Sequence, residues 1–165
     1  MIELGCTSDN GLGSGEGSHL MTKRMVRCTR SETMLSASEI QYLKSQHLAR
    51  MATASPKGEP EVSPVAFEYD GKYFYIGSHG QSIFFRTRRY KNIKNGNTRV
   101  SLVIDDLESV EPWKPRGIKV RGTAEIVEHE GIFGKGSYLR IAPQVSISWG
   151  IEPLKDGQWY SKKLH

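Results

Sequence analysis

The sequence predicts a mainly β domain, a small antiparallel barrel of six strands with two helices added. Three observations carry this reading. The chain of 165 residues is the length of one domain with one core. Apolar and polar residues alternate at period two in several short segments separated by turn residues. Only two stretches carry helix signals. An apolar share of 37% plus 17 glycines is ordinary globular composition, and no apolar run approaches the roughly 18 residues of a membrane span.

Residues 1–33 stand apart. They contain no Phe, Tyr or Trp, and Gly11, Gly13, Gly15 and Gly17 alternate with Leu12, Ser14 and Glu16. Such a segment cannot offset the entropy of ordering it, so it reads as a disordered leader or tag, with Met21 and Met25 inside it and Met34 directly after it. It lacks the apolar stretch of a secretory signal. Its Lys23, Arg24, Arg27 and Arg30 balance Glu3, Asp9, Glu16 and Glu32, so the net charge of +5 lies on residues 34–165. Both cysteines, Cys6 and Cys28, fall in the leader without metal-ligand spacing. A core without cysteine suits a reducing, cytoplasmic setting.

The core opens at Ser36-Ala37-Ser38-Glu39, a capping box with Leu35 and Ile40 as its hydrophobic staple; a helix is predicted over 36–47. Residues 48–54 form the first strand, ended by Ser55-Pro56-Lys57-Gly58. Segments 61–69 and 72–78 flank Asp70-Gly71, a strong hairpin signal. A second helix is predicted over 82–94. Strands follow at 100–105, at 117–126, with Ile118, Val120, Gly122, Ala124 and Ile126 on one face, and at 145–151, with Val145, Ile147, Trp149 and Ile151 in alternation. The glycines of 131–137 predict a loop, and Asp105-Asp106 a solvated turn.

The second helix is the densest charge in the chain, with Arg86, Arg88, Arg89, Lys91 and Lys94 beside Phe84, Phe85 and Tyr90. Paired guanidinium groups can grip a phosphate, and a solvated helix face explains the same spacing. A nucleic-acid face finds no second basic stripe or recognition motif. Gly11–Gly17 and Gly131–Gly136 both fail the nucleotide-loop patterns. No metal-ligand cluster and no nucleophile–base arrangement can be picked out. His79, just after the third strand, is the only histidine placed near a candidate site. Trp113, between Pro112 and Pro115, is held by fixed φ angles and either packs on the core or lies over a flat ligand.

These segments together resemble the pyridoxamine 5′-phosphate oxidase-like split barrel, the flavin reductase superfamily. The hairpin around Asp70-Gly71 leads into Thr87-Arg88-Arg89, similar to a phosphate-binding Ser-Arg-Lys motif. The run from Arg99 to Glu125, with Glu111-Pro112-Trp113-Lys114-Pro115-Arg116-Gly117, resembles a subfamily that uses the deazaflavin coenzyme F420 and includes reductases of tetracycline-type antibiotic assembly. Ser148-Trp149-Gly150 is the third marker. The resemblance implies a homodimer with cofactor sites where subunits meet. Arg88 and Arg89, aided by Thr87, would hold the cofactor phosphate. Ser63, Pro64, Val65, Ala66 and Phe67 would run along its ring through backbone contacts, with Gly77 and Ser78 near the ribityl chain. Lys91 and Arg86 would meet the polyglutamate tail of F420, and Trp113 would lie over the ring. FMN fits the same grip. The implied activity is hydride transfer from reduced F420 to a small-molecule acceptor, with no nucleic-acid or membrane partner and no metal. The family's usual Asn-Pro before the fourth strand is Asn97-Thr98 here, and Arg89 stands in place of the lysine.

Overall fold

The computed structural model describes residues 35–152 and 160–163; the predicted leader lies outside them. Helix α1 (Ala37–Ser45) starts as predicted: Ser36 Oγ accepts from the Glu39 amide at 3.2 Å, and the Ser36 amide donates to Glu39 Oε2 at 2.7 Å. Leu35 is buried and Ile40 packs against the core. The helix stops two residues short of the predicted end because Gln46 is already extended.

Strands β1 (Leu48–Ala54) and β2 (Pro60–Ala66) form one antiparallel hairpin, from Leu48↔Ala66 to Ala54↔Pro60. Here the predicted segment 61–69 divides. Phe67 turns into the core, and β3 (Glu68–Tyr69) pairs instead with β4 (Phe74–Ile76). The Asp70-Gly71 turn takes four residues rather than two. Asp70 Oδ1 accepts from the amides of Lys72 and Tyr73 at 2.8 and 2.7 Å, an Asx arrangement that spans residues 70–73. Gly71, at φ 100°, supplies the left-handed residue.

The remaining strands are longer than their alternation suggested: β5 (Arg99–Ser109), β6 (Lys114–Gly131) and β7 (Gly134–Trp149). The predicted loop at 131–137 is mostly strand, with only Ile132-Phe133 turning the β6–β7 hairpin. Asp105 and Asp106 lie within β5, not in a turn. Asp105 pairs with Arg50, and Asp106 accepts from Arg116 at 2.8 and 2.9 Å. A short β8 (Tyr160–Lys163) pairs with β7.

The sheet order is β2-β1-β5-β6-β7-β4-β3 with β8 on β7, so the predicted six strands become a seven-strand antiparallel path with one addition. One core lies on its inner face, where Met51, Leu102, Ile104, Ile118, Leu139, Ile141 and Phe74 are buried. Each such side chain contributes roughly 1.5–3 kcal/mol. At the end of β7 the apolar alternation faces outward. Ser146 and Ser148 are buried, while Val145, Ile147 and Trp149 are half-buried on the outer face. A register shift between Arg121 and Gly122, opposite Val145 and Pro143, moves the alternation by one residue.

Candidate functional site

The predicted helix 82–94 is two helices, α2 (Gln81–Arg86) and α3 (Arg88–Lys94), broken at Thr87. Thr87 is extended, at φ −65° and ψ 147°. Its hydroxyl donates to the Phe84 carbonyl at 2.7 Å and accepts from the Tyr90 amide at 3.3 Å. A threonine hydroxyl competing for backbone groups in this way ends one helix and caps the next. The break sets Arg88 and Arg89 at the start of a new helix, turned away from the axis of α2. Phe84 and Ile93 anchor the two helices in the core. The Asn92 amide donates to Thr53 Oγ1 at 2.9 Å, a buried bond that fixes α3 to β1.

The two arginines occupy different environments. Arg88 is 61% exposed and lies 3.8 Å from Glu59; together with Glu59, Pro60 and Glu61 it lines a shallow cavity of about 260 Å³. Arg89 is half-buried, and its Nε is fully buried without a hydrogen-bond partner. Burial lowers the Arg89 guanidinium below its ordinary pKa, with Glu61 acting the other way. Buried donors are nearly always satisfied, so an orphaned guanidinium N–H beside an exposed arginine fits an anionic ligand group. The chemistry of the donor set therefore suits a phosphate.

Ser63–Phe67 lie on and just after β2, the edge strand of the sheet. Its outer backbone edge carries no strand among the described residues and is open to a ligand. Gly77 and Ser78 begin the link from β4 into α2. Gly77 is buried under two rings; a Cβ there would stand 2.5 Å from Tyr138 Cε1 and 2.8 Å from Phe133 Cδ2. His79 is exposed, its ring edge-on to Phe133 at 4.5 Å between centroids. Arg86 and Lys91 are exposed and make no ion pair among the described residues.

Trp113 is not brought to this group. It does not pack on the core but stands 65% exposed in the turn between β5 and β6. The turn after α3 is at the other end of β5, about 30 Å away at strand rise. Sequence reasoning missed Glu59, Glu61 and Asn92. Their part depends on the β1–β2 register and on α3 docking, neither of which leaves a local signal.

The fold is thus a mainly β split barrel with few helices, with a pair of arginines suited to an anion on the helix break that follows its β3–β4 hairpin. Residues 38–148 match the family model described as pyridoxamine 5′-phosphate oxidase, and the chain belongs to that family. The family is of the oxidoreductase type. Over 118 residues the chain is 34% identical to the 5a,11a-dehydrotetracycline/5a,11a-dehydrooxytetracycline reductase of Streptomyces rimosus subsp. rimosus, a match covering 69% of this chain and 82% of that one. Among solved structures, an F420 reductase matches with a TM-score of 0.52 and 19% identity, over 68% of this chain and 98% of that one. A protein related to general stress protein 26, from Clostridium acetobutylicum, matches with a TM-score of 0.54 and 15% identity, over 76% and 91%. At these identities the two structures speak for the fold alone. Among the described residues no helix is long and apolar enough to cross a membrane.

Proposed function

We propose that the protein is a cytoplasmic F420-dependent oxidoreductase that transfers a hydride from the reduced deazaflavin to an activated C=C bond, or similar acceptor, of a small molecule. The observation that carries this reading is the buried, unpartnered Nε of Arg89 on the family's barrel. The similarity to a reductase of dehydrotetracyclines supports a C=C acceptor, and the resemblance of the Arg99–Glu125 run to an F420-using subfamily supports deazaflavin over FMN.

When bound, the reduced deazaflavin would supply the hydride, from the ring carbon that replaces the flavin nitrogen, and the proton that completes reduction of the C=C bond would come from His79 or from water. The chain's own residues position and shield. Arg89 and Arg88 hold the phosphate, and Arg88 exchanges Glu59 for it. The β2 edge from Ser63 to Phe67 takes the ring through main-chain groups. Gly77, without a side chain between Tyr138 and Phe133, lets the β4–α2 link sit close to the barrel wall. Orienting ring and acceptor and excluding water is then the protein's share of catalysis.

The reading includes a homodimer. The outer face of β1 and β2 leaves Leu48 60% and Val62 64% exposed, next to the half-buried Val103, Ile147 and Trp149. A second copy would cover this apolar face and bring its Trp113 within reach of a site that the chain's own Trp113 does not approach. Fluorescence titration with F420 beside FMN tests the cofactor, and anaerobic turnover with a C=C acceptor tests the reaction. Micromolar F420 binding with turnover is expected. Preference for FMN moves the protein to an FMN-dependent oxidoreductase of the same family. F420 binding without turnover on any acceptor makes it a binding protein.

A further inference from the structure

We infer that Glu59 and Glu61 make the arginine grip selective for the charge of its ligand, so that it favours a singly charged phosphodiester over a doubly charged phosphomonoester. This rests on the reading that Arg88 and Arg89 hold the cofactor phosphate, and it names the residues that choose between the two cofactor chemistries.

The strand register brings the carboxylates to the arginines. Asn92 fixes α3 to Thr53 of β1. Arg88 and Arg89 precede Asn92 by one helical turn and share its face of α3. Thr53 pairs with Glu61 of β2, and residues directly opposite in a ladder lie on the same face of the sheet. Glu61 therefore stands across from the turn of α3 that carries the two arginines. Its charge acts on the Arg89 guanidinium, although no ion pair joins them among the described residues.

Glu59 is tied down at the β1–β2 turn. The Ser55 amide donates to the Glu59 carbonyl at 2.9 Å, and the Glu59 amide donates to Ser55 Oγ at 3.2 Å. The same hydroxyl donates to Glu59 Oε2 at 3.3 Å. Ser55 is buried, so the Glu59 carboxylate stays beside the grip when Arg88 turns from it to a ligand. Both carboxylates and Arg88 line one cavity.

The balance of charge sets the selection. Two guanidinium groups meet two carboxylates, so the grip is formally neutral before a ligand enters. The buried Arg89 Nε offers an anionic oxygen a donor with no competing acceptor, which favours the first ligand charge. A second charge finds no unopposed cation within the grip. It is repelled by Glu59 and Glu61 and must shed its water beside the half-buried Arg89. A phosphomonoester carries about 1.5 to 2 negative charges at pH 7, and a phosphodiester carries a single one. F420 is joined through a diester and FMN ends in a monoester, so the two acids favour F420 without touching either ring.

The test titrates the full chain, Glu61→Gln and Glu59→Gln with F420, FMN and riboflavin by fluorescence. Monomethyl and dimethyl phosphate serve as minimal probes, followed at the Arg88–Tyr90 amides by NMR. Glutamine keeps the shape of the side chain, so thermal midpoints should hold. Losing one carboxylate charge should tighten a singly charged ligand about threefold; a doubly charged one gains about tenfold, because the Coulomb energy scales with ligand charge. FMN should therefore gain about threefold on F420, and monomethyl on dimethyl phosphate, while riboflavin, which has no phosphate, does not respond. Higher salt should shrink these gains. Equal gains for monoester and diester, or weaker binding of both, overturn the charge selection while the grip stands. If neither F420 nor FMN binds, the methyl phosphates decide alone. Amides of Arg88–Tyr90 that respond to neither methyl phosphate show that the arginines hold no phosphate, and the selection falls with the grip.

Discussion

Replacing Arg89 by methionine should move binding and stability in opposite directions. Methionine keeps most of the apolar stem and removes the guanidinium, including the buried Nε that has no acceptor. A charge-assisted hydrogen bond contributes roughly 1.5–3 kcal/mol. Its loss weakens a phosphorylated cofactor about tenfold to a hundredfold. The unliganded protein, however, sheds an unsatisfied buried donor whose desolvation costs about 1–3 kcal/mol. Apo stability should therefore hold or rise by up to that amount. Arg88→Ala is the comparison: exposed and already facing Glu59, it should cost less binding and leave stability unchanged. The assays are fluorescence titration with F420 and FMN, and urea unfolding of the apo-protein. An Arg89→Met protein that is less stable yet binds both cofactors as before would show that the arginine is structural and that the site has been misplaced.

Further outcomes follow from single contacts. Hydrogen bonds from Arg116 first, then from Gln46 and Tyr42, hold the Asp106 carboxyl below the usual carboxylate range. Its stabilising effect is complete above an unfolded value near about 4 and is lost as pH falls through the lower folded value. Asp106→Asn should lower stability at neutral pH and flatten the acid limb, read as urea midpoints between about pH 3 and pH 7; parallel curves would refute this. Gly77→Ala puts a methyl into the Tyr138 and Phe133 rings and should destabilise by about 1–3 kcal/mol in thermal unfolding. Thr87→Ala removes the group that closes α2 and caps α3, and should lose about 1 kcal/mol together with cofactor affinity. Unchanged affinity would mean that the helix break does not aim the arginines.

Much of the fold was legible in the sequence because its signals are local. The capping box at Ser36–Glu39, the alternation of 117–126 and the density of cations over 86–94 each lie within a few residues. Where the reading went astray, a local signal was overruled from elsewhere. Thr87 reads as an interior residue of one helix over 82–94 because the hydroxyl contacts that break it appear only once Phe84 is anchored. Val145, Ile147 and Trp149 alternate as a core face would, but the shift opposite Gly122 turns Ser146 and Ser148 inward. The division at Phe67 required β1 to claim β2 and β4 to claim β3.

By itself, then, the chain's order of residues determined a mainly antiparallel barrel, its first helix start and the kind of ligand its arginines suit, since each follows from periodicity or charge over a short span. Only the tertiary structure decided which arginine is buried without an acceptor, that Trp113 stands a strand's length from the grip, and that Phe67 divides the segment whose halves pair with β1 and β4. Those facts arise from pairing between separate segments, where burial and charge depend on what packs alongside rather than on what comes next in the chain.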